Sequence, residues 1–549
     1  MKFDKKILLA SLENAIKHDG KANVNAVLGI VLSKSPELKK NIKELQKNVS
    51  DVVSNINNMT LEEQKLQFKN LGGEITEKKE EERKLPELKN VKGKIIMRLA
   101  PYPSGPLHIG NSRPYIINDE YVKMYKGKLL LVIDDTIGSE EKNISKEAYE
   151  LIPEGLEWLD IAFDKKVIYK SDRLEIYYKY AEELIKKNKA YVCECSSEIL
   201  RGNRQKGLEC NCRVKSISTN LRDWEKMFKA KEGSTSLRIK TDMKHKNPAF
   251  RDRVIFRISD RKHPRIGNKF RIWPLLDFSW AIDDHLLDIT HILRGKELMM
   301  ESDMERYIWN VFKWRQIEII HTGLLQIEGI KLSKSKSKKE VESGAYEGWD
   351  DPRTWSLQSL KRRGFQPEAI RRFILSFGVT QSEIKVPVDV LYSENRKLLD
   401  KKVNRYFFIS NPKKIKIKNA PNLNVEVPLH PDDNRGHRKF KTEDEFYISD
   451  DIKKNTVYRF MHLFNFKDNK YLSTELDKSL NAKLIHWIPA NDNFVNVEIV
   501  MVDNSRINGI AESSVRNLKV DDIIQFERQF FCRLDNKSND KIVFSYAHN

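Results

Sequence analysis

The sequence predicts a multidomain protein with a helical N-terminal region, an α/β unit built on a parallel sheet, and a strand-rich C-terminal region. Three observations lead to this fold class. The chain has 549 residues, more than one compact core accommodates. A strand–helix–strand pattern runs through "KIIMRLA", "NDEYVKMYKG" and "KLLLVID". Short strand-like segments separated by prolines and turns follow residue 415.

The first 92 residues show apolar positions at helical spacing in "SLENAIKHDGKANVNAVLGIVLSKSPELKKNIKELQ", with Gly20 and Pro36 as interruptions. The charge run "ITEKKEEERKLPELKNVKGK" then predicts a solvated helix or linker. The α/β pattern that follows is interrupted over about residues 170–277, which predicts an inserted domain. Residues 326–400 are again helical in pattern, with "DPRTWSLQSLKRRG" and "EAIRRFILSFG".

Charge and composition limit the function classes. The chain carries 99 basic and 79 acidic residues, a net charge of +20 with a pI near 9.3. This excess favours a polyanionic partner, nucleic acid before membrane, although a lysine-rich composition with surface ion pairs is an alternative. No apolar run is long enough to span a bilayer, and Glu13 interrupts the N-terminal apolar run too early for a signal peptide. Five cysteines are too few for a disulfide scaffold, so we expect a cytoplasmic protein without a membrane partner.

Two short motifs indicate a nucleotide site. In "PSGPLHIGN", a turn with Ser104 and Gly105 leads to His108 at the start of a helix, whose free N–H groups attract anions. The basic loop "GIKLSKSKS" lies about 220 residues later. Either motif alone is compatible with an ordinary turn or a solvated loop, but the pair in this order resembles the "HIGH" and "KMSKS" signatures of class I aminoacyl-tRNA synthetases.

Longer stretches make the resemblance specific. "MRLAPYPSGPLHIGN", "IDDT", "YKSDRLEIYYKYAEELIKKNKAYVC", "AIDDHLLDITHILRGKE", "IEGIKLSKSKS" and "GWDDPRTWSLQSLKRRGFQPEAIR" resemble the archaeal and eukaryotic glutamyl-tRNA synthetases, close to the glutaminyl enzymes. The similarity covers essentially the whole chain.

The resemblance implies a Rossmann-type catalytic sheet with an inserted acceptor-stem domain and a C-terminal β-barrel anticodon-binding region. The implied domains are a helical N-terminal extension, two halves of the catalytic domain around the insertion with its zinc knuckle, a helical stem-contact domain with the KLSKS loop, and the anticodon-binding region, over 1–92, 93–168, 169–278, 279–325, 326–400 and 401–549.

The same resemblance implies an enzyme that activates glutamate with ATP and Mg²⁺ and transfers it to the 3′ end of tRNA(Glu), as a monomer. Its catalytic residues would be His108, Asn111, Lys331 and Lys334. ATP would contact Pro103, Gly105, His108, Gly110 and Lys334, and the amino acid would contact Arg98, Ser104, Asp134 and Arg294. Adenylate formation needs no side-chain nucleophile, so these groups would position the reactants and stabilise phosphate charge.

Four cysteines form two close pairs, "CEC" and "CNC". Two such pairs suit tetrahedral Zn²⁺ and would stabilise a small knuckle; buried free thiols are the alternative. The pattern also resembles the zinc element of the family's acceptor-stem insertion. The ligands would be Cys193, Cys195, Cys210 and Cys212.

Basic segments with aromatic residues, "LKRRGF", "KKVNRYFF" and "DNRGHRKFK", are candidate tRNA contacts, although each alone is more typical of a solvated face.

Two departures from the family pattern leave alternatives open. Asn111 replaces the second histidine of "HIGH", and it can donate a hydrogen bond but not carry charge. The strand "VIDDTIG" replaces the usual "RFDDTDP" or "RIEDTDP", so that Val132 and Ile137 stand where an arginine and an aspartate are usual. Their joint loss suggests a paired contact removed as a unit. The alternatives are a glutaminyl enzyme, an enzyme that also charges tRNA(Gln), and a tRNA-binding paralogue without ligase activity.

Overall fold

A computed structural model describes residues 2–17, 20–35, 38, 41–73, 84–138, 143–330, 334–491, 493–538 and 541–549. The chain divides into two compact units, Met1–Glu82 and Arg83–Asn549. Within the described ranges, no helix is both long enough and apolar enough to cross a membrane.

The first unit is helical, as predicted. Its helices are α1 (Lys2–Lys17), α2 (Val24–Lys34), α3 (Ile42–Asn57) and α4 (Leu61–Asn70). Their apolar faces share one core that includes Leu12, Val27, Val49 and Phe68. The buried amide of Gln64 donates to the carbonyls of Gly20 and Ile56, at 3.0 and 2.8 Å, and so connects a turn to the end of α3.

The second unit begins with an α/β part. Its elements in chain order are β1 (Ile96–Leu99), α5 (Ile109–Met124), β2 (Lys128–Ile133), α6 (Ala148–Trp158), β3 (Ile168–Tyr169), α7 (Leu174–Lys186), β4 (Ala190–Cys193), α8 (Ser197–Lys206), α9 (Ile217–Met227), β5 (Ser236–Ile239), β6 (Val254–Ile258), β7 (Ile272–Pro274), α10 (Leu276–Leu286), β8 (His291–Gly295), α11 (Met299–Phe312), β9 (Glu318–Thr322), β10 (Leu325–Glu328), α12 (Lys334–Glu342), α13 (Leu357–Arg362), α14 (Pro367–Leu375), β11 (Ile384–Pro387) and α15 (Val388–Leu399).

The central sheet is parallel. β1 pairs with β2, β2 with β3, and β8 with β9, all in parallel register. β8 continues the sheet on the other side of β1, because the N–H of Thr290 donates to the carbonyl of Ile96 at 2.9 Å and the Ile96 N–H donates to Thr290 Oγ1 at 3.0 Å. The strand order is therefore β3–β2–β1–β8–β9. The chain leaves β1 in one direction and returns at β8 in the other, which makes the carboxyl ends of these two strands a topological switch point, where ligands bind in open α/β sheets.

The interruption between β3 and α10 is a separate antiparallel sheet. Its strands lie in the order β4–β5–β6–β7, with the cysteine segments beside β4. Trp224 of α9, Phe256 of β6 and Trp273 of β7 are buried in one apolar cluster.

The remainder of the chain is rich in strands: β12 (Asn404–Tyr406), β13 (Phe408–Ser410), β14 (Lys413–Lys416), β15 (Leu423–Pro428), β16 (His437–Thr442), β17 (Glu445–Ile448), β18 (Val457–Phe460), β19 (Asn465–Lys467), β20 (Lys470–Ser473), β21 (Lys483–Ile485), β22 (Ile488–Pro489), β23 (Phe494–Val500), β24 (Arg506–Glu512), β25 (Ile523–Phe526), β26 (Phe530–Lys537) and β27 (Ile542–His548). One seven-stranded sheet has the order β12–β25–β26–β27–β23–β24–β13. Two apolar clusters fill this region, one around Trp487 and one around Phe526.

Candidate active site and metal centre

The "HIGN" turn connects β1 to α5 at the switch point. His108 is extended (φ −115°, ψ 167°) and directly precedes α5, and the side-chain oxygen of Asn111 accepts a hydrogen bond from the His108 N–H at 3.4 Å. Gly110 lies in the first turn of the helix. Asn111 thus completes the helix N-terminus, a role that needs a hydrogen-bonding group but no charge.

A distant segment closes this turn from outside. The N–H of Ile109 donates to the carbonyl of Trp355 at 3.3 Å, and the N–H of Leu357 donates to the carbonyl of Leu107 at 2.9 Å. The turn that contains His108 is therefore bound to residues 355–357, which follow α12.

Side-chain packing explains why residue 105 is a glycine, which the sequence alone did not indicate. A Cβ at this position would lie 2.8 Å from the ring of Trp349. The indole N–H of Trp349 donates to Glu147 Oε2 at 2.7 Å, which fixes the ring. The neighbouring Pro103 is buried, and its carbonyl accepts from the N–H of Ser145 at 2.8 Å, while half-buried Ser104 donates its N–H to the carbonyl of Tyr102 at 3.0 Å.

Of the two predicted loop lysines, Lys331 lies outside the described residues. Lys334 is the first residue of α12, which follows β10. β10 pairs in parallel with β11, so the loop begins at the edge of a two-stranded sheet.

Arg98, in β1, points into a charged cluster beneath the switch point. Its Nε and Nη2 donate to Asp284 Oδ1 and Oδ2 at 2.5 and 2.8 Å, and its guanidinium carbon lies 4.8 Å from the centre of the Trp280 ring. Burial opposes the charged form, but the carboxylate of Asp284 outweighs it and the pKa of Arg98 is raised.

Arg294, at the end of β8, approaches the same indole. Its guanidinium donates to both oxygens of Glu305, at 2.8 and 2.7 Å, and lies 5.1 Å from the Trp280 ring. Arg98 and Arg294 are each 5% exposed. The structure therefore brings together two arginines that lie about two hundred residues apart, one on each strand of the switch point.

Asp134 directly follows β2 and is bound on both oxygens. Thr136 Oγ1 donates to Oδ1 at 2.9 Å, and Lys170 Nζ lies 3.3 Å from Oδ2. Lys170 also donates to Ser279 Oγ at 2.8 Å and lies 5.1 Å from the Trp280 ring. Burial lowers the pKa of this lysine, and Asp134 opposes the shift.

Three ion pairs thus surround one buried tryptophan: Arg98–Asp284, Arg294–Glu305 and Lys170–Asp134. Sequence motifs contain one partner of each pair, whereas Lys170, Asp284, Glu305 and Trp280 carried no predicted role. Asp284 and Lys170 lie 186 and 36 residues from their partners, and Glu305 lies 11 residues after Arg294 on the next helix. Only the doubled acid of "IDDH" was a local signal. Such a cluster can bind a small zwitterion by exchanging internal charge contacts for ligand contacts.

Two residues of "VIDDTIG" that depart from the family pattern, Val132 and Ile137, are core residues here. Val132 and Ile137 are 1% and 4% exposed and belong to one apolar cluster with Leu130 and Ala281. Asp135 binds the N–H and hydroxyl of Ser171, at 2.8 and 2.7 Å, and so has a structural role beside Asp134.

The four cysteines of the insertion converge. All four Sγ atoms lie within 4.8 Å of one another, and those of Cys193 and Cys210 are 3.8 Å apart. A tetrahedron with Zn–S bonds of about 2.3 Å has edges of about 3.8 Å, so the donor set fits Zn²⁺. All five cysteines are free thiols. The thiol of Cys193, with Tyr191 and Arg238 beside it, lowers the pKa of Cys210 to about 4 against the effect of burial.

Two of the basic segments prove partly internal. Arg363 and Arg438 are 1% and 3% exposed. Arg363 donates to the carbonyl of Ala547 at 2.8 Å, and Arg438 pairs with Glu512 and Glu527 at 2.8 and 2.9 Å. These two arginines stabilise the fold, so any tRNA contact in their segments belongs to exposed neighbours.

Comparison with known proteins gives a consistent result along the chain. Residues 94–401 match the model "tRNA synthetases class I (E and Q), catalytic domain", and residues 403–483 and 484–535 match the two anti-codon binding domain models of the same class. A glutamate–tRNA ligase of Methanocaldococcus jannaschii is 43% identical over 100% of both chains. One from Methanothermobacter thermautotrophicus is 41% identical over 98% of both. Among solved structures, a glutamate tRNA ligase from Elizabethkingia meningosepticum aligns with a TM-score of 0.42 and 19% identity over 57% of this chain and 70% of that one.

Proposed function

The chain belongs to the class I (E and Q) tRNA synthetases, and from this membership we propose that it is a glutamate–tRNA ligase. One observation carries the choice of glutamate: two buried arginines, Arg98 and Arg294, lie on the two strands of the switch point and face the same indole. A substrate with two carboxylates and one ammonium matches two guanidiniums and one aspartate, whereas an amide side chain needs no second cation.

The reaction has two steps. A carboxylate oxygen of glutamate attacks the α-phosphorus of ATP, the bond to the β-phosphate breaks, and pyrophosphate leaves. A hydroxyl of the 3′-terminal ribose of tRNA then attacks the carbonyl carbon, and AMP leaves. ATP enters as its Mg²⁺ complex, which offsets part of the phosphate charge. The protein acts by holding these groups in line and by stabilising the charge that develops on them.

The "HIGN" turn would bind the phosphates. The imidazole of His108 and the N-terminus of α5 would face the anion, and Pro103, Gly105 and Gly110 would lie close to it. Lys331 and Lys334 would contact the departing pyrophosphate, an assignment that rests on the sequence motif. Loss of one donor of this kind typically costs about 3 kcal/mol of transition-state stabilisation, about a hundredfold in rate.

The charged cluster would bind the amino acid. Arg98 and Arg294 would bind its carboxylates, Asp134 would accept its ammonium, and Ser104 would lie at the edge of this site. Each charge already has an internal partner, so binding would exchange one ion pair for another rather than bring a charge into an empty site.

The four-cysteine site would hold Zn²⁺ through Cys193, Cys195, Cys210 and Cys212. The ion would supply cross-linking of a small segment with little core of its own, and no catalytic step.

The strand-rich region would bind the anticodon of tRNA(Glu). A cavity of about 390 Å³ lies between β15, β16 and β22 and is lined by residues that include Asn424, Lys439, Phe440 and Asn493. Amides, a cation and an aromatic ring suit an unstacked base. Charging of tRNA(Gln) as a second substrate depends on these contacts.

The test is direct. Purified protein with ATP, Mg²⁺ and radiolabelled glutamate should form alkali-labile glutamyl-tRNA with tRNA(Glu), and parallel reactions should contain tRNA(Gln) or radiolabelled glutamine. Product with glutamine alone overturns the choice of glutamate. Product from glutamate with both tRNAs identifies an enzyme that charges both, and the absence of product with either amino acid identifies a paralogue without ligase activity.

A variant separates ligase from tRNA-binding roles. Lys334→Ala should lose about a hundredfold in rate while its tRNA affinity changes little, because the lysine would act on the phosphates. Lys338→Ala, in the same helix, is the matched control. Equal losses of rate and tRNA affinity in Lys334→Ala would contradict the proposed role.

A further inference from the structure

We infer that Arg238 is a positioning residue of the four-cysteine centre: it compensates the negative charge of the two buried thiolates and so stabilises the site. This inference rests on the proposed zinc site. Arg238 lies in β5 and is 1% exposed. Its Nη1 donates to Cys193 Sγ at 3.7 Å and to Cys210 Sγ at 3.6 Å. One guanidinium nitrogen therefore bridges one cysteine of each C-x-C pair.

The position of the guanidinium is fixed from the other side. Its Nε donates to the backbone carbonyl of Asp252 at 2.8 Å, and its guanidinium carbon lies 5.3 Å from the centre of the Tyr191 ring. Tyr191 itself donates its hydroxyl to Asp252 Oδ2 at 2.9 Å. Arg238 is therefore oriented by Asp252 and Tyr191, neither of which is a predicted zinc ligand.

The charge of the four thiolates explains why an arginine lies at this position. Four thiolates around Zn²⁺ carry a net charge of −2, and such a charge is costly in a buried site unless it is compensated. Cys195 and Cys212 are partly exposed and can be solvated, whereas Cys193 and Cys210 are only 1% and 9% exposed. Arg238 donates to the two thiolates that water does not reach. Outer groups that hydrogen-bond to ligands commonly change metal affinity 10- to 100-fold.

A second arginine provides a matched control. Arg213 enters the same network, with Nε donating to Asp252 Oδ2 and Nη2 to the carbonyl of Thr241, each at 2.9 Å. No contact joins Arg213 to a cysteine sulfur among the hydrogen bonds of the described residues. Substitution of Arg213 therefore removes a hydrogen bond to Asp252 but leaves the contacts of Arg238 with the thiolates in place.

The experiment measures zinc rather than activity. The full-length wild type, Arg238→Met, Arg238→Lys and Arg213→Met would be purified, their zinc content measured, and their zinc affinity compared by competition with a chromogenic chelator. We expect one zinc per wild-type chain and a 10- to 100-fold weaker affinity in Arg238→Met. The loss should be smaller in Arg238→Lys, which keeps a cation but not the guanidinium that contacts both sulfurs. Arg213→Met should remain within about threefold of wild type.

Three outcomes would overturn the inference: no zinc in the wild type, unchanged affinity in Arg238→Met, or an equal loss in Arg213→Met. If Arg238→Met does not fold, Arg238→Lys decides: a weaker affinity than wild type supports the role of the contacts to both sulfurs, and an affinity equal to wild type overturns it. Glutamylation by a wild-type enzyme without zinc would refute this inference alone, and zinc binding without glutamylation would refute the proposed function alone.

Discussion

The ammonium of Lys170 lies 3.3 Å from Oδ2 of Asp134, the carboxylate that the sequence analysis assigned to the substrate ammonium. The side chain of Lys170 is fully buried, and its second contact, Ser279 Oγ at 2.8 Å, also lies inside the fold. The three cations around Trp280 are balanced by three carboxylates, so the cluster is neutral before an amino acid binds.

Lys170→Met should weaken glutamate binding. The substitution leaves three carboxylates against two guanidiniums, and the resulting negative charge disfavours glutamate, which carries a net charge of −1. We expect KM for glutamate to rise about tenfold, equivalent to about 1.4 kcal/mol, with a smaller change in kcat. Exposed Lys166→Met is the control for loss of charge. A lower KM in Lys170→Met would mean instead that Lys170 competes with the substrate ammonium for Asp134.

Ile137→Asp should destabilise the catalytic sheet. The position is 4% exposed in an apolar cluster, and an unpaired carboxylate there typically costs several kcal/mol. Val132→Arg should be similarly costly. If the usual arginine and aspartate form a pair, the double variant Val132→Arg/Ile137→Asp should lose less thermal stability than the two single losses added together. Additive shifts in the midpoint of thermal unfolding would show that the positions are independent.

Gly105→Ala should impair ATP use through steric overlap with Trp349. The new Cβ would lie 2.8 Å from the ring, and overpacking of this kind typically costs 1–3 kcal/mol. We expect a higher KM for ATP, and partial recovery in Gly105→Ala/Trp349→Phe, since the smaller ring removes the overlapping atoms. Gly202→Ala, with open space around its Cα, should behave like wild type. Failure of the double variant to recover would indicate that a ligand, not the tryptophan, requires the glycine.

His548 should make stability depend on pH. Burial lowers its pKa to about 4, and its ring lies 2.9 Å from the side-chain amide of Asn395 on α15. The histidine is neutral in the folded protein, whereas in the unfolded chain it takes up a proton near pH 6.5. The unfolded state therefore binds more protons between pH 6.5 and about 4, and the free energy of unfolding falls as the pH falls through this window.

His548→Gln keeps a hydrogen-bond acceptor for Asn395 but does not titrate. Between pH 7 and pH 5 the wild type should lose on the order of 2 kcal/mol more than this variant in urea unfolding. Other buried histidines contribute equally to both proteins and cancel in the comparison. Parallel losses in the two proteins would show that His548 is not the titrating group.

The sequence predicted the order of elements well where local patterns decide them. The predicted fold class is confirmed: a helical N-terminus, a parallel catalytic sheet and strand-rich C-terminal domains. The helix after "HIGN" begins at Ile109, directly after His108, where the motif predicted its start, although the segment with a helical pattern begins only at Asn118. Pro114 lies inside this helix and weakens the local signal, and packing against the sheet overrides that preference.

The sequence predicted one member of each ion pair in the candidate site but not its partner. Arg98 and Arg294 stand in motifs, but Asp284 is 186 residues from Arg98, and no local periodicity connects them. Lys170 was part of a quoted segment, yet an isolated lysine carries no signal until the fold places it beside Asp134. The cysteines were different, because ligand spacing is a local pattern, and their four sulfurs do converge. The domain boundaries and the roles of the individual site residues remain predictions.

The hydrogen bonds that join Leu107 and Ile109 to residues 355–357 have a consequence for how the protein is made. A ribosome has added almost 250 further residues after the "HIGN" turn before the segment that closes it exists. Contacts so distant in sequence form late, because the intervening chain must first be ordered. A nascent chain that ends before Trp355 can build β1, α5 and β2, but it lacks the backbone partners of the turn. The turn that we propose to bind ATP is therefore complete only once most of the chain has been synthesised.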